Sequence, residues 1–482
     1  MVATRKNRSS RPSSASDWAQ SLVGFSLVAL VVVLPLLMPQ RTPELMTISG
    51  LLMLCLALMA ATSAAAASAR SPGSFSLPGS YWWLVFIIVS VAVLLQVLPL
   101  AILARLFGPY PEIFWHFEYF EPGSWSPNPA ATLRGWGIFV ALFTVAWLSG
   151  QLEARQRNWL WLAIAISVIA QASYGLFSHT TGIDVMQSME GHGRQSAMQG
   201  SFSNRNLFAA YLALGWPLVI SVWWLRDVPI LSRLPTELRV TGTLLAGSVV
   251  GAAIFASASR LGAMAGIVGA VSGFLLLIRH RGRLSGFAIL PAWLAVIGTF
   301  LVAAWIGLEP LADRIAVSEA EEYRLVAFAL MFREFPWQWW VHGVGLGGFE
   351  AVFKTIQTDQ ISGWWDYAHS DLIQWLLEMG LPGLLILILV VTGLFIRFEL
   401  TMERIPLYAG LLALALVGLG DFSWHIPATQ VVLAIYIGTL LQSPSGRSRR
   451  RRSRSVANRD QNERKRKRKR RRGGSLHGDL LD

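Results

Sequence analysis

The apolar residues of this chain gather into twelve blocks separated by polar connections: 19–38, 46–66, 81–104, 135–150, 158–178, 206–225, 242–258, 261–278, 286–307, 371–396, 406–420 and 427–442. At 1.5 Å of rise per residue, blocks of this size match the roughly 30 Å hydrocarbon core of a bilayer. Open sheet edges cannot be satisfied in lipid, and the alternating pattern of barrel strands is missing. The pattern therefore predicts an all-α polytopic membrane protein of about twelve spans. Its organisation reads as a polar terminus 1–18, nine spans within 19–307, a large connection 308–366, three spans within 367–442, and a polar tail 443–482. The first block lacks a small-residue cleavage site at a suitable distance and reads as a retained span rather than a signal peptide.

Composition agrees with this class and charge orients it. Of 482 residues, 54% are hydrophobic and 14% charged, against about 25% charged in soluble domains. The formal net charge is +13, yet sixteen Lys/Arg and four Asp/Glu lie from Gly446 onward, so the membrane part is nearly neutral. Placing both basic termini in the cytoplasm satisfies the positive-inside rule and requires an even number of spans. The inner loops 67–80, 151–157, 226–241, 279–285 and 397–405 then hold eleven Lys/Arg, more than the ten of the far longer outer connections. The outer connection 308–366 is acidic and carries "PWQWW" and "GWW", whose amphipathic rings suit a membrane–water boundary. The tail is low-complexity and cannot bury a core. It reads as an arm on anionic inner-leaflet lipid, and nucleic acid is not an expected partner. A single cysteine, Cys55, excludes an intrachain disulfide and a thiolate metal cluster.

Eleven of the blocks contain no Asp, Glu, Lys or Arg. Proton-coupled transporters place ionisable groups near the midplane on several helices, and that pattern is missing. The polar residues stand instead at the outer ends of blocks. Arg205, between Asn204 and Asn206, precedes the sixth span, with Ser203 or Asn204 as its cap. A helix N-terminus with an added arginine suits a phosphate or diphosphate. Arg260 sits in the tight turn "SASRLG", followed by small residues that allow close helix packing. Arg324 and Arg333 lie nine residues apart on one amphipathic helix, hence on opposite faces. Arg324 is the one expected to face a site, and Arg333 beside Glu334 reads as a surface ion pair. "HGVGLGGF" at 342–349 contains G-x-G-x-x-G, but no βαβ unit surrounds it, so it reads as a tight turn with His342 structural.

The stretch "YAHSDLIQWLLEMGLPG" places His369 and Asp371 at the start of the tenth span and Glu378 inside it. Ser370 or Asp371 is positioned to cap that helix. Asp371 and Glu378 share a face about 10 Å apart, too far for a close carboxylate pair. Glu378 is expected to face the bundle interior and orient a neighbour, an arginine among the options. An imidazole is the side chain able to act as a neutral base near pH 7, which an arginine cannot. His369 is therefore the candidate base. Asp421 and His425, in "GLGDFSWHIP", either approach the same region or simply end a helix. No metal-ligand, Walker or GxSxG spacing is present, so neither metal nor other cofactor is expected.

In order, "SFSNRNLFAAYLAL", "ASRLGAMAGIVGA", "YRLVAFALMFREFPWQWWVHGVGLGGFEAVF" and "YAHSDLIQWLLEMGLPGLL" resemble the O-antigen ligase and polymerase superfamily of bacterial envelope glycosyltransferases, over about residues 200–395. The resemblance implies a GT-C-like helical enzyme of the inner membrane, using an undecaprenyl-diphosphate-linked glycan as donor. The implied acceptor is a lipid A–core sugar in ligases, another lipid-linked glycan in polymerases, and a protein Ser or Thr in a third branch. It further implies that Arg205, Arg260 and Arg324 bind diphosphate, that His369 deprotonates the acceptor, and that Asn204, Asn206, Asp371 and Glu378 support them. The family often has Asn where Ser370 stands here; capping is expected to survive that change. A transporter of lipid-linked glycan is the alternative of another class.

Overall fold

A computed structural model of the chain describes residues 14–37, 43–70, 75–107, 123–183, 198–225, 228–281 and 319–442, except 360, 362 and 364. The expected span 286–307, the termini and part of the 308–366 connection lie outside the described residues. Among the described residues there is no strand, and nine helices are long and apolar enough to cross a membrane. Two shorter apolar helices follow them. Numbered in chain order, the helices are α1 (Ser14–Val33), α2 (Pro43–Arg70), α3 (Ser80–Val97), α4 (Leu100–Phe107), α5 (Pro129–Gln151), α6 (Ala154–Thr181), α7 (Arg205–Ser221), α8 (Pro229–Ser232), α9 (Thr236–Ala256) and α10 (Arg260–Arg281). Then come α11 (Glu319–Glu334), α12 (Trp337–His342), α13 (Phe349–Phe353), α14 (Asp371–Ile396), α15 (Ile405–Gly418) and α16 (Pro427–Leu441).

Two boundaries differ from the apolar pattern, each for a local reason. The block 81–104 is not one helix: α3 ends at Val97, Leu98 is extended, and α4 starts after Pro99. Proline lacks the donor N–H and disfavours helical geometry in the residue before it. The block at 135–150 is part of a longer helix, because Asn128 accepts from Ala131 N at 3.0 Å and Pro129 occupies the first position. The division between 242–258 and 261–278 holds. Ala258 takes a left-handed φ of 52°, and Ser259 Oγ accepts from Gly262 N at 3.2 Å to open α10.

α7 is the axis of the bundle, with every residue from Leu207 to Val219 buried. It packs on α6, α9, α10 and α15. Small residues permit the approach: a Cβ on Gly262 would run into Ala209, and one on Gly410 into the Leu214 carbonyl. Two hydrogen bonds between buried polar groups join α7 to its neighbours. Trp216 Nε1 donates to the Gly247 carbonyl at 2.8 Å, and Ser167 and Tyr211 share a 2.8 Å hydrogen bond.

α14 is broken at Gly380, whose φ of 59° and ψ of −146° are not helical, two residues before Pro382. The break and the missing proline N–H free the carbonyls of Leu377 and Glu378. The glycine turn after α12 takes them up: Val344 N donates to Leu377 O at 2.9 Å and Gly345 N to Glu378 O at 3.0 Å. Gln96 Nε2, from α3, also reaches Glu378 O at 3.0 Å. The "HGVGLGGF" stretch is thus a turn, with positive φ at Gly343, Gly345 and Gly347. Gly343→Ala would drive a Cβ into the Glu378 carbonyl from a φ of 76°. Gly363, at a φ of 89°, faces open space. Thermal melting in detergent should show Gly343→Ala losing about 3 kcal/mol and Gly363→Ala about 1 kcal/mol.

Candidate functional site

One end of the bundle collects the polar residues. Asn204 Oδ1 accepts from Asn206 N at 2.7 Å and caps α7, leaving Arg205 as the first helical residue. Arg260 holds the same first position on α10. The contact of Gly262 with Ala209 lies within the first turns of both helices, so the two arginines open adjacent, closely packed helices. α10 in turn meets the connection after α15, where Leu261 lies against Gly420.

That connection, residues 419–426, is the hub. Arg324 Nη1, from α11, donates to the Gly420 carbonyl at 2.9 Å, and its Nη2 lies 3.8 Å from Asp421 Oδ2. Asp421 is 1% exposed and its Oδ1 accepts from Phe422 N at 2.9 Å. The same oxygen faces His369 Nδ1 at 3.9 Å. Asp421 therefore stands between a guanidinium and an imidazole. Arg333, on the other side of α11, pairs with Glu334 at 2.7 Å and is exposed, as its spacing predicted.

His369 is held in a strained backbone. Its φ of 53° is left-handed, shared among described non-glycine residues only with Ala258. Its ring stands edge-on to Trp365 at 4.8 Å and to Phe422 at 5.1 Å. Phe422 is also stacked on Tyr367 at 4.5 Å. Such strain persists where surrounding contacts over-determine it, and it concentrates at functional positions. Three ties fix the chain on either side. Ala368 N donates to Gln374 Oε1 at 3.0 Å, Ser370 Oγ reaches the Gly418 carbonyl at 3.4 Å, and Asp371 N donates to the Asp421 carbonyl at 2.9 Å. Ser370 Oγ also accepts from Ile373 N, so serine caps α14 in this chain.

Asp371 is fully buried and does more than open a helix. Its Oδ1 meets His425 Nδ1 at 2.8 Å, while Oδ2 accepts from Trp424 N at 2.9 Å and Ser423 Oγ at 3.3 Å. Glu378, also buried, meets no arginine among the described residues. Its Oε1 accepts from Gln374 Nε2 at 3.1 Å and from Phe349 N at 3.4 Å. It thereby satisfies an orphan N–H at the first turn of α13. His342 is structural: its ring packs on Trp125 at 5.1 Å and its carbonyl accepts from Gln96.

Of the residues singled out from sequence, Arg324, His369 and Asp371 thus meet directly around the 419–426 connection. Arg260 adjoins it through Leu261, and Arg205 opens α7, the helix packed against α10. Glu378 sits apart, at the break in α14. Asp421 and His425 are the residues that sequence reasoning left undecided. The available signal was two titratable residues within one short connection between charge-free helices.

This geometry is chemically directional. A buried carboxylate fixes an imidazole, three arginines stand on helices converging at one end, and the N-termini of α7 and α10 add their partial positive charge. An anion is the ligand such an end attracts, and an imidazole beside it can accept a proton. Residues 244–388 match the family described as O-Antigen ligase. The match begins within α9 and ends within α14, taking in Arg260, Arg324, His369, Asp371 and Glu378. No curated protein and no solved structure matches the chain. The chain is thus similar to the O-antigen ligase family over this segment, which lies among many helices long and apolar enough to cross a membrane.

Proposed function

We propose that the chain is a glycosyltransferase of the O-antigen ligase type, taking an undecaprenyl-diphosphate-linked glycan as donor on the periplasmic face of the bacterial inner membrane. Both termini are cytoplasmic in this reading, and the 308–366 connection is periplasmic. The acceptor is a lipid A–core sugar hydroxyl; polymerisation onto a second lipid-linked glycan, or transfer to a protein hydroxyl, uses the same chemistry. The basic tail rests on anionic inner-leaflet lipid. The observation that carries the reading is the meeting of His369, Asp421 and Arg324 at the 419–426 connection, against which Leu261, the residue after Arg260, is packed.

The step asks for two things. A hydroxyl must lose its proton as its oxygen bonds to the anomeric carbon, and the bond from that carbon to diphosphate oxygen must break. Asp421, facing His369 Nδ1, favours the tautomer protonated there and leaves Nε2 as the base. The proton goes to Nε2 and the electron pair of the broken bond to the diphosphate. Charge grows on the leaving group, where planar guanidinium forks bind phosphate oxygens bidentately. Arg205 and Arg260 face that group in this reading. Arg324, engaged by the Gly420 carbonyl and Asp421, shares its charge between the leaving group and the turn that holds the base's partner. Asn204 and Asn206 support Arg205 by setting the first turn of α7.

In membranes supplied with purified lipid-linked glycan, His369→Ala should lower transfer about 10²- to 10⁴-fold at normal protein level. Arg260→Ala should lower it about 10²-fold or more. Arg333→Ala, on the exposed face, should match the parent. A wild-type rate in His369→Ala removes the base role, and passage of labelled glycan across liposomes that ignores His369→Ala favours a transporter. Arg324→Lys should also lose most activity, because a single ammonium cannot serve both the Gly420 carbonyl and a phosphate fork. A rate within twofold of the parent would argue against that assignment. Glycan profiles of a deletion strain separate the branches: intact lipid-linked polymer with bare core indicates ligase, and single units on core indicate polymerase.

A further inference from the structure

Two histidine–carboxylate pairs cross at this site. His369 and Asp371 stand two residues apart at the start of α14, and Asp421 and His425 four apart on the connection that follows α15. Each histidine faces the carboxylate of the other segment. The pair assigned no task by the proposed reaction is the closer one, 2.8 Å for His425–Asp371 against 3.9 Å for His369–Asp421. Asp371 gives all its reach to that connection, through His425, Trp424 and Ser423.

We infer that His425, as the hydrogen-bonded partner of Asp371, is a positioning residue for transfer, locking the 419–425 turn so that Asp421 stays between Arg324 and His369. The inference rests on the reading of His369 as base. The mechanical route is short. The Asp421 carbonyl is held by Asp371 N, the Gly420 carbonyl by Arg324, and the Gly418 carbonyl by Ser370. Asp371 is the one residue of α14 that grips this connection through both backbone and side chain. Releasing its carboxylate from His425 frees the far end of a turn whose near end carries Asp421.

Electrostatics support the pairing. The groups facing His425 are Asp371 and Glu378 from α14, with Asp421 on its own turn and Arg324 and His369 beyond Asp421. Burial alone would lower the His425 pKa, but the hydrogen bond and charge of Asp371, with the charge of Glu378, outweigh it and raise the pKa. The folded pKa being above the unfolded one, the stability contributed by protonation of His425 is lost as pH rises through the raised value.

The test uses the full-length protein in detergent, with undecaprenyl-diphosphate-linked glycan extracted from the producing cells as probe and release of undecaprenyl diphosphate as readout. His425→Phe keeps ring volume without a donor, and His425→Gln keeps a donor without a charge. We expect His425→Phe to lose about 10- to 100-fold in kcat with little change in donor KM, and His425→Gln to recover most of it. A fall in kcat at unchanged donor KM, restored by the glutamine donor, is a pattern that a merely structural residue would not give. His425→Phe with parental kcat overturns the inference, while an inactive His369→Ala alongside keeps the base reading intact. A fully active His369→Ala instead defeats the base reading itself. Should both His425 variants misfold, ring ¹⁵N titration of the wild-type protein decides: His425 titrating above about 6.5 supports the pair, and titration at or below it shows that the pair does not form.

Discussion

The absence of water inside a bilayer forces every backbone donor and acceptor to find a partner within the protein, and α14 meets that demand in an unusual way. Gly380 and Pro382 leave the carbonyls of Leu377 and Glu378 without helical partners, and the turn at Val344–Gly345 supplies them. A broken helix is tolerated because a second backbone segment completes it. That completion has a geometric effect. It anchors the segment after α11 and α12 to the middle of α14, so the helix carrying Arg324 and the helix preceded by His369 belong to one unit. Glu378 reinforces the seam by accepting from Phe349 N, and Gln96 ties α3 to the same carbonyl. The site's two halves are held together some distance from where they act.

At the acting end the controlling fact is the burial of carboxylates. Asp371 and Asp421 are each about fully buried, and an ionised carboxylate there is costly without cations and N–H donors around it. Asp371 receives them from the opposite segment, through His425, the Ser423 hydroxyl and Trp424 N, and Asp421 from Phe422 N beside it, Arg324 on α11 and His369. In the proposed reading, this pattern makes the electrostatics of base and leaving-group site inseparable. Asp421 keeps Arg324 and His369 in reach of each other, and Asp371 keeps Asp421 in place. A left-handed His369 costs on the order of 1–3 kcal/mol, and the aromatic walls of Trp365 and Phe422 with the Ser370 and Ala368 ties make that conformation the one available.

Much of this was readable from residues, and what was not has a definite cause. Block length and the absence of charge gave the helices, because in lipid the backbone leaves few alternatives. The split at Leu98–Pro99 was missed through reading apolar content ahead of proline geometry. Helical spacing put Arg324 and Arg333 on opposite faces, and Glu334 beside Arg333 marked that one as the surface residue. Ser370 as cap was one of two options, and the other, Asp371, turned out to be spent on His425. The role of Glu378 was not legible, because its partner is a backbone N–H of a five-residue helix brought in by a turn. Asp421 and His425 were visible as polar residues in an apolar neighbourhood. Their importance depends on pairing across about fifty residues of chain, which a single sequence does not encode locally.

The crossing of the two pairs also explains why the connection after α15 is short. Asp421 and His425 must meet the first turn of α14 from one side while α15 and α16 leave in the opposite direction. A longer loop would make each contact separately adjustable, and ordering it would cost entropy for every residue fixed. With four residues between the Gly420 carbonyl and the His425 ring, the contacts stand or fall together. A mutation that loosens one imidazole is then expected to be felt at the other. Chemistry placed on such a turn gains orientation from the same interactions that satisfy its buried charges, and a loose loop carrying the same side chains would have neither.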